Sequence, residues 1–169
     1  WNADPVRMSA GMHRDFMDLA LRNALVEPKA ATMLGSPVDL STITTDSYVV
    51  AGIADHLCQW QSCYQATQLF GGDVRFVLST SGHIAAMVNP PGNPKANFRA
   101  SPERDGHPVN PESPEDWLAS ANRVQGSWWE DWSEWLSTRS GGERGKPRKL
   151  GNADHEPVAE APGTYVHDR

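Results

Sequence analysis

A strand–helix–strand pattern runs through residues 47–83, which have the sequence SYVVAGIADHLCQWQSCYQATQLFGGDVRFVLSTSGH. Residues 47–53 are apolar nearly throughout, which is typical of a strand covered on both faces. Residues 57–70 carry apolar side chains at spacings of three and four, which predicts a helix, and residues 74–79 predict a second strand. The sequence therefore predicts an α/β fold built on a βαβ unit with two parallel strands.

Two side chains that can exchange protons follow the strands of this unit. Asp55 comes after the first strand and His83 after the second. Because parallel strands end at the same edge of a sheet, we expect Asp55 and His83 to be neighbours. Taken singly, each is typical of a turn or surface residue, but a carboxylate that orients an imidazole makes it an effective base. The pair therefore predicts an acid and a base, in the chain order of α/β-hydrolases.

The nucleophile that such a pair would serve is not evident. The sequence contains no G-x-S-x-G or G-x-C-x-G turn of the kind that exposes a nucleophile between strand and helix. Cys58 and Cys63 lack glycine neighbours and fall on the predicted helix, so we interpret them as packing residues with reduced thiols. We expect the nucleophile to lie upstream of this sequence or to be absent.

The other histidines show no pattern of metal ligands. Neither H-E-x-x-H nor a pair of spaced cysteine motifs occurs around them, so we expect no metal. These histidines are His13, His56, His107, His155 and His167.

Two segments precede the βαβ unit. Residues 8–27 place apolar side chains at helical spacing as far as Pro28, which predicts one amphipathic helix with a buried face. Residues 37–40 predict a short strand.

The chain after the unit is predicted to begin with a loop and to continue with two helices. Prolines in residues 89–94 predict a rigid loop that extends to about residue 111. Ser113 is the expected cap of a helix, and Ser127 of a second one. The first helix is expected to present the apolar side chains of Trp117, Leu118, Ala121 and Val124. The second is expected to pack a slab of tryptophans on the sheet, consisting of Trp128, Trp129, Trp132 and Trp135.

Composition and charge exclude several classes of function. The 169 residues suffice for one domain, and 15 basic against 21 acidic residues give a net charge of −6, which argues against a nucleic-acid partner. No apolar run is long enough to span a bilayer, and no secretory signal is visible, so we expect a cytoplasmic protein.

Several strings resemble the C-terminal third of polyhydroxyalkanoate synthases. They are WNAD (1–4), AGIADH (51–56), WQSCY (60–64), FVLSTSGHI (76–84), NPPGNPKA (89–96), GSWWEDW (126–132) and APGTYV (161–166). The resemblance implies an α/β-hydrolase fold, of which this chain would form the C-terminal part of a mostly parallel sheet with flanking helices. Residues 1–34 would be the end of a cap subdomain, 35–136 part of the catalytic core and 137–169 an extended tail.

The resemblance also implies a reaction. Asp55 and His83 match the family's acid and base, which serve a cysteine upstream in polymerising (R)-3-hydroxyacyl-CoA into polyester with release of CoA. Substrate contacts would come from Trp1, His56, Ile84 and Ala85. The thioester is the substrate and CoA the product, so no cofactor is implied. The growing polyester is a partner, and the expected state is a homodimer at the surface of cytoplasmic polyester granules.

The strings divide between two types of the family. WQSCY and NPPGNPKA are similar to the medium-chain-length (class II) type, whereas Ala85 is similar to the short-chain type. Gln59 stands where most members have proline. More of the strings favour the medium-chain type.

Two alternatives remain open from the sequence. One is an esterase, thioesterase or depolymerase with the same acid and base and an upstream serine. The other is a noncatalytic piece that binds polyester granules or dimerises through its tryptophans.

Overall fold

The computed structural model describes residues 7–146, 148–164 and 167. It begins with helix α1 (Ala10–Arg22) and a hairpin of β1 (Thr32–Met33) and β2 (Ser36–Pro37). The elements that follow are β3 (Ser47–Gly52), α2 (Trp60–Tyr64), α3 (Ala66–Leu69), β4 (Val74–Ser79), β5 (Asn97–Ala100), β6 (Glu103–Arg104), β7 (His107–Pro108), α4 (Pro114–Ser120), β8 (Asn122–Gln125) and α5 (Trp128–Ser137). Among the described residues, none of the helices has both the length and the apolar character needed to cross a membrane.

A four-stranded sheet in the order β3-β4-β5-β8 forms the centre of this mixed α/β structure. Strands β3 and β4 are parallel, with Ser47 opposite Val74 and Gly52 opposite Ser79, which confirms the predicted βαβ unit. The pairs β4–β5 and β5–β8 are antiparallel. A mostly parallel sheet is therefore wrong for the described part of the chain, since only one of its three strand pairs is parallel.

The core lies on both faces of β4. On one face the aromatic rings of α2 and α4 pack on Phe76, and Trp117 meets it edge to face with ring centres 4.8 Å apart. On the other face Val77 packs with Phe98, and Trp128 of α5 lies against this cluster. Burial on both faces explains why β4 is apolar at four of its six positions, the exceptions being Arg75 and Ser79.

An ion pair joins α5 to the central strands. Asp131 accepts two hydrogen bonds from the Arg75 guanidinium, at 2.9 and 2.6 Å, and one from the Tyr48 hydroxyl at 2.7 Å. Burial alone would raise the pKa of Asp131, but the bonds from Arg75 and Tyr48 outweigh it and hold that pKa below its usual range. The charged pair therefore fixes α5 across β3 and β4.

The N-terminal segment differs from its prediction. Helix α1 ends at Arg22 because Asn23 adopts a left-handed conformation (φ 48°), five residues before Pro28. Its expected buried face is wrong, since Met12 is 61% and Phe16 60% exposed and no described element covers them. The strand expected at residues 37–40 is also wrong: after β2, Asp39 caps a 3-10 turn at Leu40–Thr42.

The helix expected over residues 57–70 is shorter and divided. It starts only at Trp60, and Gln65 separates α2 from α3. Its late start has a local cause, because the Asp55 carboxylate accepts the backbone N–H groups of Leu57 and Cys58 and holds them in a turn.

The segment after His83 contains strands where a loop was expected. Residues 89–111 include β5 and the hairpin of β6 and β7. Helix α4 begins at its predicted cap Ser113 but ends at Ser120, so Val124 lies on β8 and is 40% exposed. Helix α5 and its cap Ser127 are confirmed. Trp128 packs on the sheet as predicted, and the four tryptophans are half-buried or, at Trp129, exposed.

Candidate active site

Asp55 is held by a turn at the end of β3. Pairing with the neighbouring strand continues beyond Gly52, since Ile53 N–H donates to the Ser79 carbonyl at 2.9 Å. The chain then turns, and the Asp55 N–H donates to the Gly52 carbonyl. One carboxylate oxygen, Oδ1, accepts the N–H groups of Leu57 (2.9 Å) and Cys58 (3.0 Å). The other oxygen, Oδ2, is thereby aimed away from the backbone.

His83 lies in the loop that follows β4 and meets this second oxygen. Its Nδ1 lies 2.9 Å from Asp55 Oδ2, so the expected proximity of the two side chains is confirmed. The two loops are joined directly, because the Ala54 N–H donates to the Ser81 carbonyl at 3.1 Å. Ser81 adopts φ 85°, which turns the chain back toward β3.

Gly52 permits this close approach of the loops. A Cβ at residue 52 would lie 2.9 Å from the Ala86 Cβ and 3.1 Å from the Ser81 carbonyl oxygen. These distances are shorter than van der Waals contact, so a larger residue would push the His83 loop away from Asp55.

The electrostatics of the pair favour a charged carboxylate. The backbone N–H of Cys58 and the hydrogen bond with His83 lower the pKa of Asp55 to about 2. Asp55 is therefore a carboxylate at neutral pH and only accepts hydrogen bonds, which assigns the proton of the neutral His83 ring to Nδ1. The opposite nitrogen, Nε2, is then free to accept a proton, and 43% of the His83 side chain is exposed to receive one. The geometry suits a general base oriented by a carboxylate.

Comparison with known proteins identifies relatives of the whole chain. No protein-family model matches it. Over 169 residues it is 44% identical to poly(3-hydroxyalkanoate) polymerase 2 of Ectopseudomonas oleovorans and 43% identical to polymerase 1 of that organism, covering 100% of this chain and 29% of each relative. Over 167 residues it is 38% identical to poly(3-hydroxyalkanoate) polymerase subunit PhaC of Cupriavidus necator, covering 98% of this chain and 27% of that one.

The chain is a relative of the C-terminal part of poly(3-hydroxyalkanoate) polymerases. The resemblance noted from the sequence strings is thereby confirmed. The chain spans less than a third of the length of these polymerases.

The other residues implied by the resemblance to the polymerases are exposed around the pair. His56 follows Asp55 directly and lines an open groove with Cys58 and Cys63. Ile84, 49% exposed, and Ala85 follow His83 directly. Trp1 lies outside the described residues, as do Tyr165 and Val166. Substrate contact by His56, Ile84 and Ala85 stays a prediction.

Cys58 was misplaced by the sequence interpretation. It was expected to pack on the helix, but it is exposed in the turn before α2, whereas Cys63 is half-buried against the aromatic core. Ligand atoms of Asp55, Cys58 and His83 all lie within 4.8 Å of one another. The spacing D-x-x-C after a strand was the signal for this, since a carboxylate that binds the N–H three residues later brings that residue close.

Two tryptophans of α5 hold the His83 loop, a role that sequence reasoning missed. The indole N–H of Trp128 donates to the Ala86 carbonyl at 2.8 Å, and that of Trp129 donates to the Met87 carbonyl at 3.0 Å. Both carbonyls belong to the turn that follows His83. In this relative of the polymerases, the GSWWEDW string is therefore placed to hold the loop that carries His83.

Proposed function

We propose that this chain supplies the acid and the base of a poly(3-hydroxyalkanoate) polymerase, an acyltransferase that joins (R)-3-hydroxyacyl-CoA units into polyester. The observation that carries the proposal is the bond between His83 Nδ1 and Asp55 Oδ2 at 2.9 Å, in a chain 44% identical to such a polymerase. The nucleophile is a cysteine outside this sequence.

In the first half of the proposed reaction, His83 Nε2 takes the proton of the cysteine thiol. The thiolate attacks the carbonyl carbon of the acyl-CoA thioester, and the bond from that carbon to the sulfur of CoA breaks. The CoA thiolate leaves with the proton that His83 has held. Asp55 stays ionised throughout and stabilises the imidazolium form of His83.

In the second half, His83 removes the proton from the 3-hydroxyl group of another unit. The resulting alkoxide attacks the acyl group held on the cysteine, an ester bond forms, and the cysteine sulfur leaves as a thiolate that takes back the proton held by His83. Each cycle lengthens the polyester by one unit. Exclusion of water from the site favours this transfer over hydrolysis.

The proposal extends to the fold of the complete protein. The parallel pair β3–β4, with an acid and a histidine at its carboxyl edge, fits the C-terminal part of an α/β-hydrolase core at residues 35–136. Residues 1–34 would end a cap subdomain, and residues 137–169 would be a tail. Strand β3 has one partner in the described sheet, and its other edge would pair with a strand from the rest of the core.

The proposed substrates and setting follow from the same relationship. The chain is more similar in sequence to the Ectopseudomonas oleovorans polymerases than to the Cupriavidus necator subunit. We propose medium-chain-length substrates, because more of the sequence strings resemble that type. His56, Ile84 and Ala85 would contact the acyl chain. The protein would act as a homodimer on the surface of cytoplasmic granules, without a cofactor.

A matched pair of histidine substitutions tests the proposal in the complete gene product. His107 is a suitable control for His83, because its Nδ1 also faces an aspartate oxygen, Asp73 Oδ2, at 2.6 Å. We expect His83→Gln to abolish CoA release from hydroxyacyl-CoA and His107→Gln to preserve it. The acyl product separates the alternatives: polyester supports a polymerase, and free 3-hydroxy acid a hydrolase. CoA release by His83→Gln at the wild-type rate would contradict the assignment, as would granule binding without any CoA release.

A further inference from the structure

We propose that Asp55, Cys58 and His83 bind one Zn²⁺ ion, and that the bound ion blocks the acid–base pair. The binding depends only on the three side chains. The inhibition rests on the function proposed above.

The distances between the three side chains are close to those of a zinc site. One ligand atom of each residue lies within 4.8 Å of the other two, and His83 Nδ1 is already 2.9 Å from Asp55 Oδ2. With Zn–S bonds of about 2.3 Å and Zn–N or Zn–O bonds of about 2.0 Å, tetrahedral ligand atoms lie about 3.3–3.5 Å apart. The Cys58 thiol therefore needs to move toward the pair by at most about 1.5 Å, and the two atoms of the pair need to separate by about 0.4 Å.

The site has one fixed ligand and two that can adjust. Asp55 is fixed, because the N–H groups of Leu57 and Cys58 hold its Oδ1. Cys58 is exposed and in no disulfide, and 43% of the His83 side chain is exposed. Rotation between staggered side-chain conformers lets both adjust without displacing core atoms.

The ligand types select the metal. A thiolate, an imidazole and a carboxylate together suit Zn²⁺, whereas Mg²⁺ and Ca²⁺ prefer oxygen ligands alone. Three protein ligands leave a fourth tetrahedral position for water, and the exposure of Cys58 and His83 opens that position to solvent. When the metal binds, the thiol proton of Cys58 passes to solvent.

Coordination of either ring nitrogen of His83 would stop the proposed proton transfer. If Nδ1 binds the ion, the metal replaces the proton between His83 and Asp55, and the ring loses its orienting partner. If Nε2 binds the ion, the nitrogen that must accept the proton is occupied. Asp55 and His83 therefore have two mutually exclusive uses.

Direct metal binding tests the site independently of activity. The chelator-treated complete gene product is titrated with Zn²⁺ against a chromophoric chelator, and with Co²⁺ while the thiolate-to-cobalt charge-transfer band is recorded. We expect Cys58→Ser to lose one equivalent of zinc, or to bind it at least about tenfold more weakly. With Co²⁺, the thiolate-to-cobalt charge-transfer band should be weaker in Cys58→Ser than in the wild type. Cys63→Ser, the matched control, should bind as wild type does. Equal binding by wild type and Cys58→Ser would overturn the site, and so would an equal loss in Cys63→Ser.

Turnover then tests the inhibition. We expect stoichiometric Zn²⁺ to stop CoA release by the wild type, a chelator to restore it, and Cys58→Ser to be active and at least about tenfold less sensitive to zinc. Zinc that binds through Cys58 without slowing turnover would overturn the inhibition. A wild-type protein that releases no CoA even without zinc would contradict the proposed function and leave the binding result intact.

Discussion

Replacing Asp55 by asparagine changes which ring nitrogen of His83 carries the proton, while it preserves the shape of the site. In the wild type, Oδ1 accepts the N–H groups of Leu57 and Cys58, and Oδ2 faces His83 Nδ1. An asparagine must keep its carbonyl oxygen toward the two N–H groups. Its amide NH₂ group then faces Nδ1 and donates to it, so the ring proton moves to Nε2, the nitrogen that must accept a proton.

The size of the effect follows from the two backbone bonds. An asparagine flipped to present its oxygen to His83 would point its NH₂ group at two N–H donors and lose both bonds. The loss of two hydrogen bonds makes the flipped asparagine less populated than the unflipped one by a factor on the order of ten to a hundred. The same substitution in a Ser-His-Asp triad lowers kcat about 10⁴-fold through the wrong tautomer. We expect Asp55→Asn to lower kcat by about a hundred- to ten-thousandfold.

The assay is the loss of thioester absorbance from hydroxyacyl-CoA, which needs no thiol reagent and leaves cysteines untouched. Asp73→Asn is the matched control, because Asp73 faces His107 Nδ1 at 2.6 Å in a pair outside the proposed site. It should keep wild-type activity, and both variants should melt like the wild type. If Asp55→Asn remains within tenfold of the wild-type kcat, the reasoning from the tautomer is refuted.

Two further predictions concern α5. Trp128→Phe removes the indole donor from the Ala86 carbonyl, so it should cost about 1–2 kcal/mol of loop stability and lower kcat roughly tenfold in the CoA-release assay. Trp132→Phe is the control, because its indole has no hydrogen bond within the described residues, and an equal fall in both variants would contradict the role of Trp128. The pKa of Asp131 is lower in the folded than in the unfolded state, so its pair with Arg75 stabilises the fold above about pH 4 and is lost as the pH falls further. The melting temperature should therefore drop between about pH 5 and pH 3 by less in Asp131→Asn than in the wild type, and parallel curves would contradict this.

The proximity of Asp55 and His83 was predictable because it depends on topology alone. A strand, a helix and a strand in succession make a parallel pair, and both residues follow strands of that pair. Details of side-chain position were not needed. The antiparallel strands β5 and β8 were not predictable in the same way. NFRA and NRVQ are short and carry several polar residues, and they are strands because β5 pairs with β4 and β8 pairs with β5.

The position of Cys58 was not predictable from helical spacing. The apolar pattern of residues 57–70 continues back to Leu57, so spacing alone extends the helix over Cys58. A local turn prevents this, since the Asp55 carboxylate accepts the N–H groups of Leu57 and Cys58 and α2 begins only at Trp60. The prediction of a buried face on α1 failed for a related reason. Periodicity shows that one face of a helix is apolar, but it does not show whether another element covers that face.

The turn after Asp55 links the proposed catalysis to the proposed zinc site, and this determines which substitution can separate them. Asp55→Asn keeps an oxygen for the N–H groups of Leu57 and Cys58, so it should alter the His83 tautomer while Cys58 stays in place. Asp55→Ala removes that oxygen and leaves the N–H groups of Leu57 and Cys58 without their acceptor, so the turn that places Cys58 would be lost. A loss of activity in Asp55→Ala would therefore mix the loss of the acid with a change of the turn. Only the asparagine variant tests the charge on residue 55 with the loop unchanged, and only Cys58→Ser tests the metal with the acid and base unchanged.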